Sequence, residues 1–281
     1  MSDIAQLERI ASQVRRDIIR QTFSAQSGHP GGSLGCVELL VALYFDVMDH
    51  DPAFQMEARG EDVFFLSNGH ISPVWYSVLA RSGYFPAEEL ATFRQIGSRL
   101  QGHPATHEGL PGIRVASGSL GQGVSVAIGM ALSKKMNGDD KLVFALTGDG
   151  EQDEGQIWEA ALAAAHLKVD NLIVTVDRNG QQIDGPTSEV MDLGDLGAKW
   201  RAFGWEVLEL QNGNDMRSVV DALHQAKNMT GKGKPIMIVM HTEMGYGVDF
   251  MQGTHHWHGK APNAEQTDKA LAQLQETLGD Y

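Results

Sequence analysis

The N-terminal part of the chain has the hydrophobic pattern of a long amphipathic helix. Between residues 4 and 25, apolar side chains recur every three or four positions, and off this stripe lie mostly Arg15, Arg16 and Arg20. This period predicts a helix with one buried face. A run rich in Gly and Pro at 27–32 follows, and these turn formers predict the end of the helix.

From residue 141 onward, strand-like apolar runs alternate with helical periods. The predicted strands are 142–146, 172–176, 207–210 and 235–240, and the predicted helices are 156–166 and 216–227. Upstream, the pattern predicts a buried helix at 37–47 and a strand at 63–66. Strands and helices that alternate without polar linkers are typical of a parallel sheet with helices on both faces. We therefore predict one α/β domain over 1–281, with a helical N-terminal extension and a short helix within 261–278.

Composition and charge narrow the class of protein. Of 281 residues, 42% are hydrophobic and 21% charged, which excludes a disordered chain. The net charge of −14 argues against binding to nucleic acid or to an anionic membrane. No apolar run is long enough to span a membrane and no signal peptide is visible, while the lone Cys36 fits a reducing compartment. These features predict a cytoplasmic protein.

Two polar residues follow neighbouring predicted strands and are candidate metal ligands. Asp149 lies between two glycines after the first strand, and Asn179 follows the next strand. A right-handed crossover brings both strand ends to one edge of the sheet, where such folds bind ligands. Together with a backbone carbonyl, for which we favour Gln181, these oxygens suit Mg²⁺ or Ca²⁺ beside a diphosphate. The plainer alternative is that Asp149 only caps a helix.

Several motifs together resemble the transketolase family. The Gly-Asp-Gly run at 148–150, followed by Asn179, resembles the signature of thiamine diphosphate enzymes. Further motifs occur in the transketolase order with similar spacing, at 27–31, 67–70, 102–104, 118–123, 245–247 and 257–259. The resemblance covers nearly the whole chain and implies the thiamine-diphosphate-binding fold. It also implies thiamine diphosphate and Mg²⁺ (or Ca²⁺) as cofactors.

The resemblance extends to only one half of a transketolase, since those enzymes are about twice as long. Their second half holds the aminopyrimidine ring of the cofactor and carries the glutamate that activates it. The resemblance thus implies the N-terminal subunit of a split transketolase, whose partner is a separate C-terminal subunit, in an α2β2 assembly. The implied reaction is the reversible transfer of a two-carbon ketol group from a ketose phosphate to an aldose phosphate, as in the pentose phosphate pathway.

Four histidines in Gly- or Pro-bearing loops are candidate catalytic or cofactor-binding residues. By resemblance, His29 and His258 contact the sugar around the reacting carbon, His103 binds donor hydroxyls, and His70 lies nearer the diphosphate. Imidazole suits these tasks because it exchanges protons near neutral pH. A histidine chosen at random is more often a surface or core residue. A zinc site is not favoured, because the spacing matches no zinc motif.

In the loop before Gly259, His255 and His256 compete with His258 for the catalytic role. We prefer His258 because it directly precedes Gly259, as in the family motif.

The resemblance also implies contacts to the cofactor and to the partner chain. The implied cofactor-binding residues are His70, Gly118, Ser119, Leu120, Asp149, Gly150, Glu159 and Asn179. Backbone N–H groups of the turn at 118–123 are expected to face phosphate oxygens or a ring. Glu154 is expected at the subunit interface, in an acidic network reaching the partner's activating glutamate. Without the resemblance, Glu154 and Glu159 would be a solvated acidic face at a helix start.

Three alternatives stay open at this stage. The chain could belong to another thiamine diphosphate enzyme, such as the E1-type component of a 2-oxoacid dehydrogenase or a deoxyxylulose phosphate synthase. It could serve a transketolase for an unusual sugar, and the residues Glu243 and Met244, where many family members carry lysines, leave acceptor preference undecided. It could also be a non-catalytic scaffold protein, although His29 and His103 favour a catalyst acting on sugars.

Overall fold

The computed structural model describes residues 2–281, in which helices and strands alternate as predicted. The helices are α1 (Ile4–Ala25), α2 (Pro30–Gly35), α3 (Val37–Ala42), α4 (Ser72–Arg81), α5 (Gln122–Met136), α6 (Gly155–His166), α7 (Thr187–Val190), α8 (Leu196–Ala202), α9 (Met216–Met229) and α10 (Ala264–Gln273). The strands are β1 (Val63–Leu66), β2 (Val143–Gly148), β3 (Leu172–Arg178), β4 (Gln181–Gln182), β5 (Gly185–Pro186), β6 (Glu206–Leu210) and β7 (Ile236–His241).

A parallel sheet forms the centre of the fold. Its strand order is β1-β2-β3-β7-β6, and every neighbouring pair is parallel. The short strands β4 and β5 form a separate antiparallel hairpin just after β3. In the register of β2 and β3, Gly148 lies opposite Asp177, so the loops after these strands begin side by side.

Helices cover both faces of this sheet, which confirms the predicted α/β class. Side chains alternate along each strand, so that Ile173 packs into one apolar cluster and Val174 into the other. The first cluster includes apolar residues of α1, α3, α4 and α9, and the second includes those of α5, α6 and α8. Both faces are thereby removed from water, as a parallel sheet requires.

Most predicted element boundaries agree with the structure, and the deviations have simple causes. The helix predicted at 4–25 and the strand predicted at 63–66 are confirmed at both ends. β2 and β3 each continue two residues beyond their predicted ends, because their ladder continues to the pair Gly148 and Asp177. The helix predicted at 37–47 changes into a wider π-helical turn at Leu43–Val47.

Two arginines of α1 are buried although they lie off its apolar stripe. Arg15 pairs with Glu38, and Arg16 reaches Asp280 with a distance of 2.7 Å between Nη2 and Oδ2. The helix is therefore covered on more sides than its pattern predicts, since α10 and the C-terminal residues pack along it. No helix within residues 2–281 combines the length and apolarity needed to cross a membrane.

We predict that α1 is anchored to the sheet by its apolar stripe. Ile18 is fully buried, whereas Glu8 on the same helix is exposed. Ile18→Ala should lower the free energy of unfolding by about 2–5 kcal/mol, because it leaves a cavity in the core. Glu8→Ala is the matched control and should change it by less than about 0.5 kcal/mol. Urea unfolding measures both values, and equal effects of the two changes would contradict the prediction.

Candidate functional site

A cavity of about 280 Å³ opens at the carboxyl edge of the sheet. Its walls come from the segments that follow β1, β2, β3 and β7 and from the loop between α1 and α2. Parallel sheets bind ligands at this edge. Two chemically distinct groups line the cavity: the carboxylates of Asp149, Glu151 and Asp177, and the imidazoles of His29, His70 and His258.

Asp149 lies at the end of β2 with its carboxylate almost fully buried. Its Oδ1 accepts a hydrogen bond from the N–H of Gly150 at 2.8 Å, and its Oδ2 accepts one from the N–H of Gly180 at 2.7 Å. Burial, and then repulsion from the carboxylate of Asp177, raise the pKa of Asp149 to about 7. Asp149 does cap the turn that follows it, but it also reaches across to the end of β3.

Asp177 fixes the orientation of the Asn179 side chain. The Asn179 Nδ2 donates to Asp177 Oδ2 at 2.8 Å, and its Oδ1 accepts from the N–H of Gln181 at 2.9 Å. The hydroxyl of Thr242 donates to the other oxygen of Asp177. Because Asp177 can only accept when ionised, these bonds determine which end of the Asn179 amide faces away from it. Burial raises the pKa of Asp177 as well.

The four candidate histidines come together from four separate loops. The ring centroid of His29 lies 5.0 Å from that of His70, 5.7 Å from that of His258 and 6.5 Å from that of His103. The rings of His70 and His258 are stacked with centroids 5.2 Å apart. His255 and His256 lie against each other instead, which favours His258 as the member of the cluster.

Burial keeps the clustered imidazoles neutral. It lowers the pKa of His29 to about 4 and that of His70 to about 3, with additional repulsion from neighbouring imidazoles. The pKa values of His103 and His258 are also lowered, again mainly by burial. The Nδ1 atoms of His29 and His258 are buried and have no hydrogen-bond partner within residues 2–281. Neutral rings with free nitrogens can accept a proton or a hydrogen bond from a bound molecule.

Glycine makes the close approach of these loops possible. Gly118 has a φ of 118°, and a Cβ atom there would lie 2.4 Å from Cδ2 of His103. Gly31 would clash in the same way, with Trp257 O at 2.8 Å from a Cβ atom. The Gly-rich motifs thus serve to bring the histidine loops together.

Comparison with known proteins identifies the family of the chain. The family described as "Transketolase, thiamine diphosphate binding domain" matches residues 7–279. From Actinobacillus succinogenes, one of the two subunits of an apulose-4-phosphate transketolase is 40% identical over 272 residues, which cover 96% of each chain. From Clostridium sp., one of the subunits of a 6-deoxy-6-sulfo-D-fructose transketolase is 40% identical over 269 residues, again 96% of each chain.

The chain belongs to the transketolase family. The solved structure of a transketolase from Leishmania mexicana matches all of this chain with a TM-score of 0.89 and 32% identity, and the match covers 43% of that protein. Transketolase 1 of Saccharomyces cerevisiae is 37% identical, and the match covers 44% of its length. The chain therefore spans about two fifths of these longer transketolases and nearly the whole length of the relatives that are named as subunits.

In this transketolase chain, the predicted site residues separate into two groups. Those that line the cavity are His29, His70, Leu120, Asp149, Gly150, Asn179, Gln181 and His258. Those outside its lining are His103, Gly118, Ser119, Glu154 and Glu159. Glu154 and Glu159 are exposed at the start of α6, and His103 is exposed beside the cavity.

The turn at 118–123 is arranged differently from the expectation. The N–H of Gly121 donates to Oε1 of Glu151 at 2.7 Å, and the N–H of Gly123 donates to Oγ of Ser67 at 3.1 Å. These two groups are already bonded within the transketolase chain, so the expectation that the backbone N–H groups of this turn all face a ligand is wrong for them. Glu151, which also accepts from the N–H of Gly148 at 3.1 Å, ties three loops together.

Sequence reasoning did not single out Asp177, Glu151 or Asn68, all of which line the cavity and are buried. Asp177 had a signal, because it is an ionisable residue within an otherwise apolar strand that ends two residues before Asn179. The buried Oδ1 of Asn68 has no hydrogen-bond partner within the described chain. The sequence gives no comparable signal for this residue, since its burial depends on tertiary packing.

We predict that the histidine cluster makes the chain less stable as pH falls below about 6.5. An unfolded histidine takes up a proton near that pH, whereas His29 and His70 stay neutral until about pH 4 and about pH 3. The unfolded chain then binds more protons, so stability falls with pH by up to about 1.4 kcal/mol per pH unit for each histidine. His70→Asn should reduce this slope in urea unfolding at about pH 7, 6 and 5. An unchanged slope in both His70→Asn and His29→Asn would contradict the prediction.

Proposed function

We propose that this chain is the N-terminal, diphosphate-binding subunit of a split thiamine diphosphate-dependent transketolase. The observation that carries the proposal is the end-to-end match to proteins named as transketolase subunits, at a site where a histidine cluster faces Asp149 and Asn179. The partner is a C-terminal subunit that supplies the aminopyrimidine side of the cofactor site. Residues 1–281 then act as a single domain, and two copies of each subunit form an α2β2 assembly in the cytoplasm.

The chemistry of the carboxylate group fits a divalent cation. Asp149 and Asp177 are buried near each other, and no Lys, Arg or His within residues 2–281 forms an ion pair with either. Two buried carboxylates without a cation are costly, and a divalent ion offsets that cost. Asp149, Asn179 and the backbone carbonyl of Gln181 would hold Mg²⁺ (or Ca²⁺), and all three are hard oxygen ligands.

The remaining candidate residues divide between cofactor and subunit interface. His70, Gly118, Ser119, Leu120, Gly150 and Glu159 would bind thiamine diphosphate together with the metal site. Glu154, exposed at the start of α6, would reach the activating glutamate of the partner. The exposure of Glu154 and Glu159 in the isolated chain supports a role at a surface that the partner covers.

The histidines would bind and orient the sugar and exchange its protons. When bound, thiamine diphosphate supplies the carbanion chemistry that breaks and forms the carbon–carbon bond. The lowered pKa values of His29 and His258 leave both rings neutral at pH 7, so each can accept a proton from a sugar hydroxyl. Their unpartnered Nδ1 atoms make them suited to this role. His103 would hold donor hydroxyls. The net reaction moves a two-carbon ketol group from a ketose phosphate to an aldose phosphate.

An unusual sugar is the favoured alternative to the pentose phosphates. Two of the relatives of this length are named for apulose 4-phosphate and for 6-deoxy-6-sulfo-D-fructose. These names support a transketolase outside the pentose phosphate pathway. A panel of ketose donors, with pyruvate included to test for 2-oxoacid activity, would decide between them.

We predict that ketol transfer requires a second polypeptide. The chain should be tagged in its native host, recovered gently and assayed for thiamine-dependent ketol transfer beside the recombinant chain alone. Activity should accompany a second chain and be lost without it, because the aminopyrimidine side of the site lies on the partner. Full activity of the lone chain would overturn the split-site proposal.

We also predict that Asp149 is required for metal-dependent cofactor binding. Asp149→Asn should weaken thiamine diphosphate binding in the presence of Mg²⁺ by about tenfold or more, since it removes a charged metal ligand. Asp184→Asn is the matched control, because it removes the same charge from an exposed position in the neighbouring hairpin. Calorimetric titration of the assembled complex measures the affinity, with EDTA as the metal-free reference. Equal affinities of the two variants would contradict the metal site.

A further inference from the structure

Arg94 lies beside the histidine cluster in a conformation that its own backbone does not favour. Its φ is 58°, in the left-handed region that few side chains other than glycine adopt. The N–H of Arg94 donates to the carbonyl of Leu100 at 2.8 Å, which holds this turn. Such a backbone persists only where the surrounding structure stabilises it, and the position is therefore a candidate for a functional role.

The guanidinium of Arg94 lies between the loops that carry His29 and His103. Its Nη1 donates to Oγ of Ser27 at 2.9 Å, two residues before His29. On the other side is Gly102, directly before His103, where a Cβ atom would lie only 2.5 Å from Cζ of Arg94. The charge of Arg94 contributes to the lowered pKa values of His29 and His103, which places it on their side of the cluster.

Arg94 differs from the other partly buried arginines because it has no carboxylate partner. Five others pair with an acid, namely Arg15 with Glu38, Arg16 with Asp280, Arg81 with Asp17, Arg99 with Glu89 and Arg114 with Glu61. Within residues 2–281 no carboxylate oxygen lies within 4.0 Å of the Arg94 guanidinium, and its Nε is buried without an acceptor. A partly buried cation without an acid is costly, particularly in a chain whose net charge is −14.

We propose that Arg94, held by Ser27, binds a terminal oxyanion of the sugar substrate next to His29 and His103. A guanidinium presents planar donors that match the oxygens of a phosphate or a sulfonate, and its charge excludes a metal ion at this position. His29 lines the cavity, so a group bound at Arg94 adjoins the reaction site. The inference rests on the proposed function, and it narrows the substrate class to sugars that carry an oxyanion.

The first experiment tests the site without cofactor, partner or turnover. Inorganic phosphate is titrated into the full-length chain, and the ring signals of His29 and His103 are followed by NMR. Arg94→Gln should weaken phosphate binding by about tenfold or more, because it removes a charged donor. Arg94→Lys keeps the charge with a single ammonium group and should bind with intermediate affinity.

Arg99→Gln is the matched control, since Arg99 is a partly exposed arginine of the same segment that already pairs with Glu89. It should bind phosphate as the unmodified chain does. Thermal unfolding checks that each variant is folded, and if Arg94→Gln is not, the comparison of Arg94→Lys with the unmodified chain decides. Equal phosphate affinity in the unmodified chain and the folded Arg94 variants, or binding too weak to distinguish from that of an adventitious ion only, overturns the proposal.

The second experiment uses the assembled enzyme and separates the two proposals. Arg94→Gln should lower kcat/KM for fructose 6-phosphate at least tenfold more than for fructose, with the change mainly in KM. A matching loss with 6-deoxy-6-sulfofructose indicates that a sulfonate is bound as well, and its absence indicates a site for phosphate. Equal losses with fructose and its phosphate overturn the role of Arg94. Absence of ketol transfer in the unmodified assembly, with phosphate binding retained, would instead refute the proposed function alone.

Discussion

The burial of two carboxylates at the edge of one sheet is the constraint on which the rest of the site depends. The parallel register of β2 and β3 brings Asp149 and Asp177 together, and repulsion adds to burial in raising the pKa of Asp149 to about 7. Asp177 uses its acceptors for Thr242 and Asn179, so it orients an amide rather than neutralising a charge. The unmet negative charge makes this edge of the sheet suited to a cation and, through it, to an anionic cofactor.

The opposite side of the cavity has a different electrostatic character. Here burial and mutual repulsion disfavour protonation of the imidazoles, and the charge of Arg94 acts in the same direction on His29 and His103. A cavity with carboxylates on one wall and neutral histidines beside a cation on the other can orient a polar molecule along its length. Glycines at the loop contacts, such as Gly118 against His103, allow this arrangement because no Cβ atom intervenes.

Much of the fold could be predicted because its signals are local. The strand β1 and the long helix α1 begin and end where the hydrophobic period predicts, since propensity, pattern and turn residues all agree there. The burial of Arg15 and Arg16 could not be predicted, because it depends on α10 and the C-terminal residues far away in sequence. Within the site, glycine-flanked motifs marked Asp149, Asn179 and the histidines, whereas Glu151 had no comparable signal.

The sequence by itself determined the α/β class, the order of the elements and the family, because each of these depends on periodicity and on short motifs. The tertiary structure alone decided which of those motif residues share a cavity. It brought His258 rather than His255 to the cluster, used the N–H groups of Gly121 and Gly123 within the chain, and left Arg94 without an acid. The physical reason is that burial, repulsion and hydrogen-bond satisfaction are properties of neighbours in space, which residues distant in sequence supply.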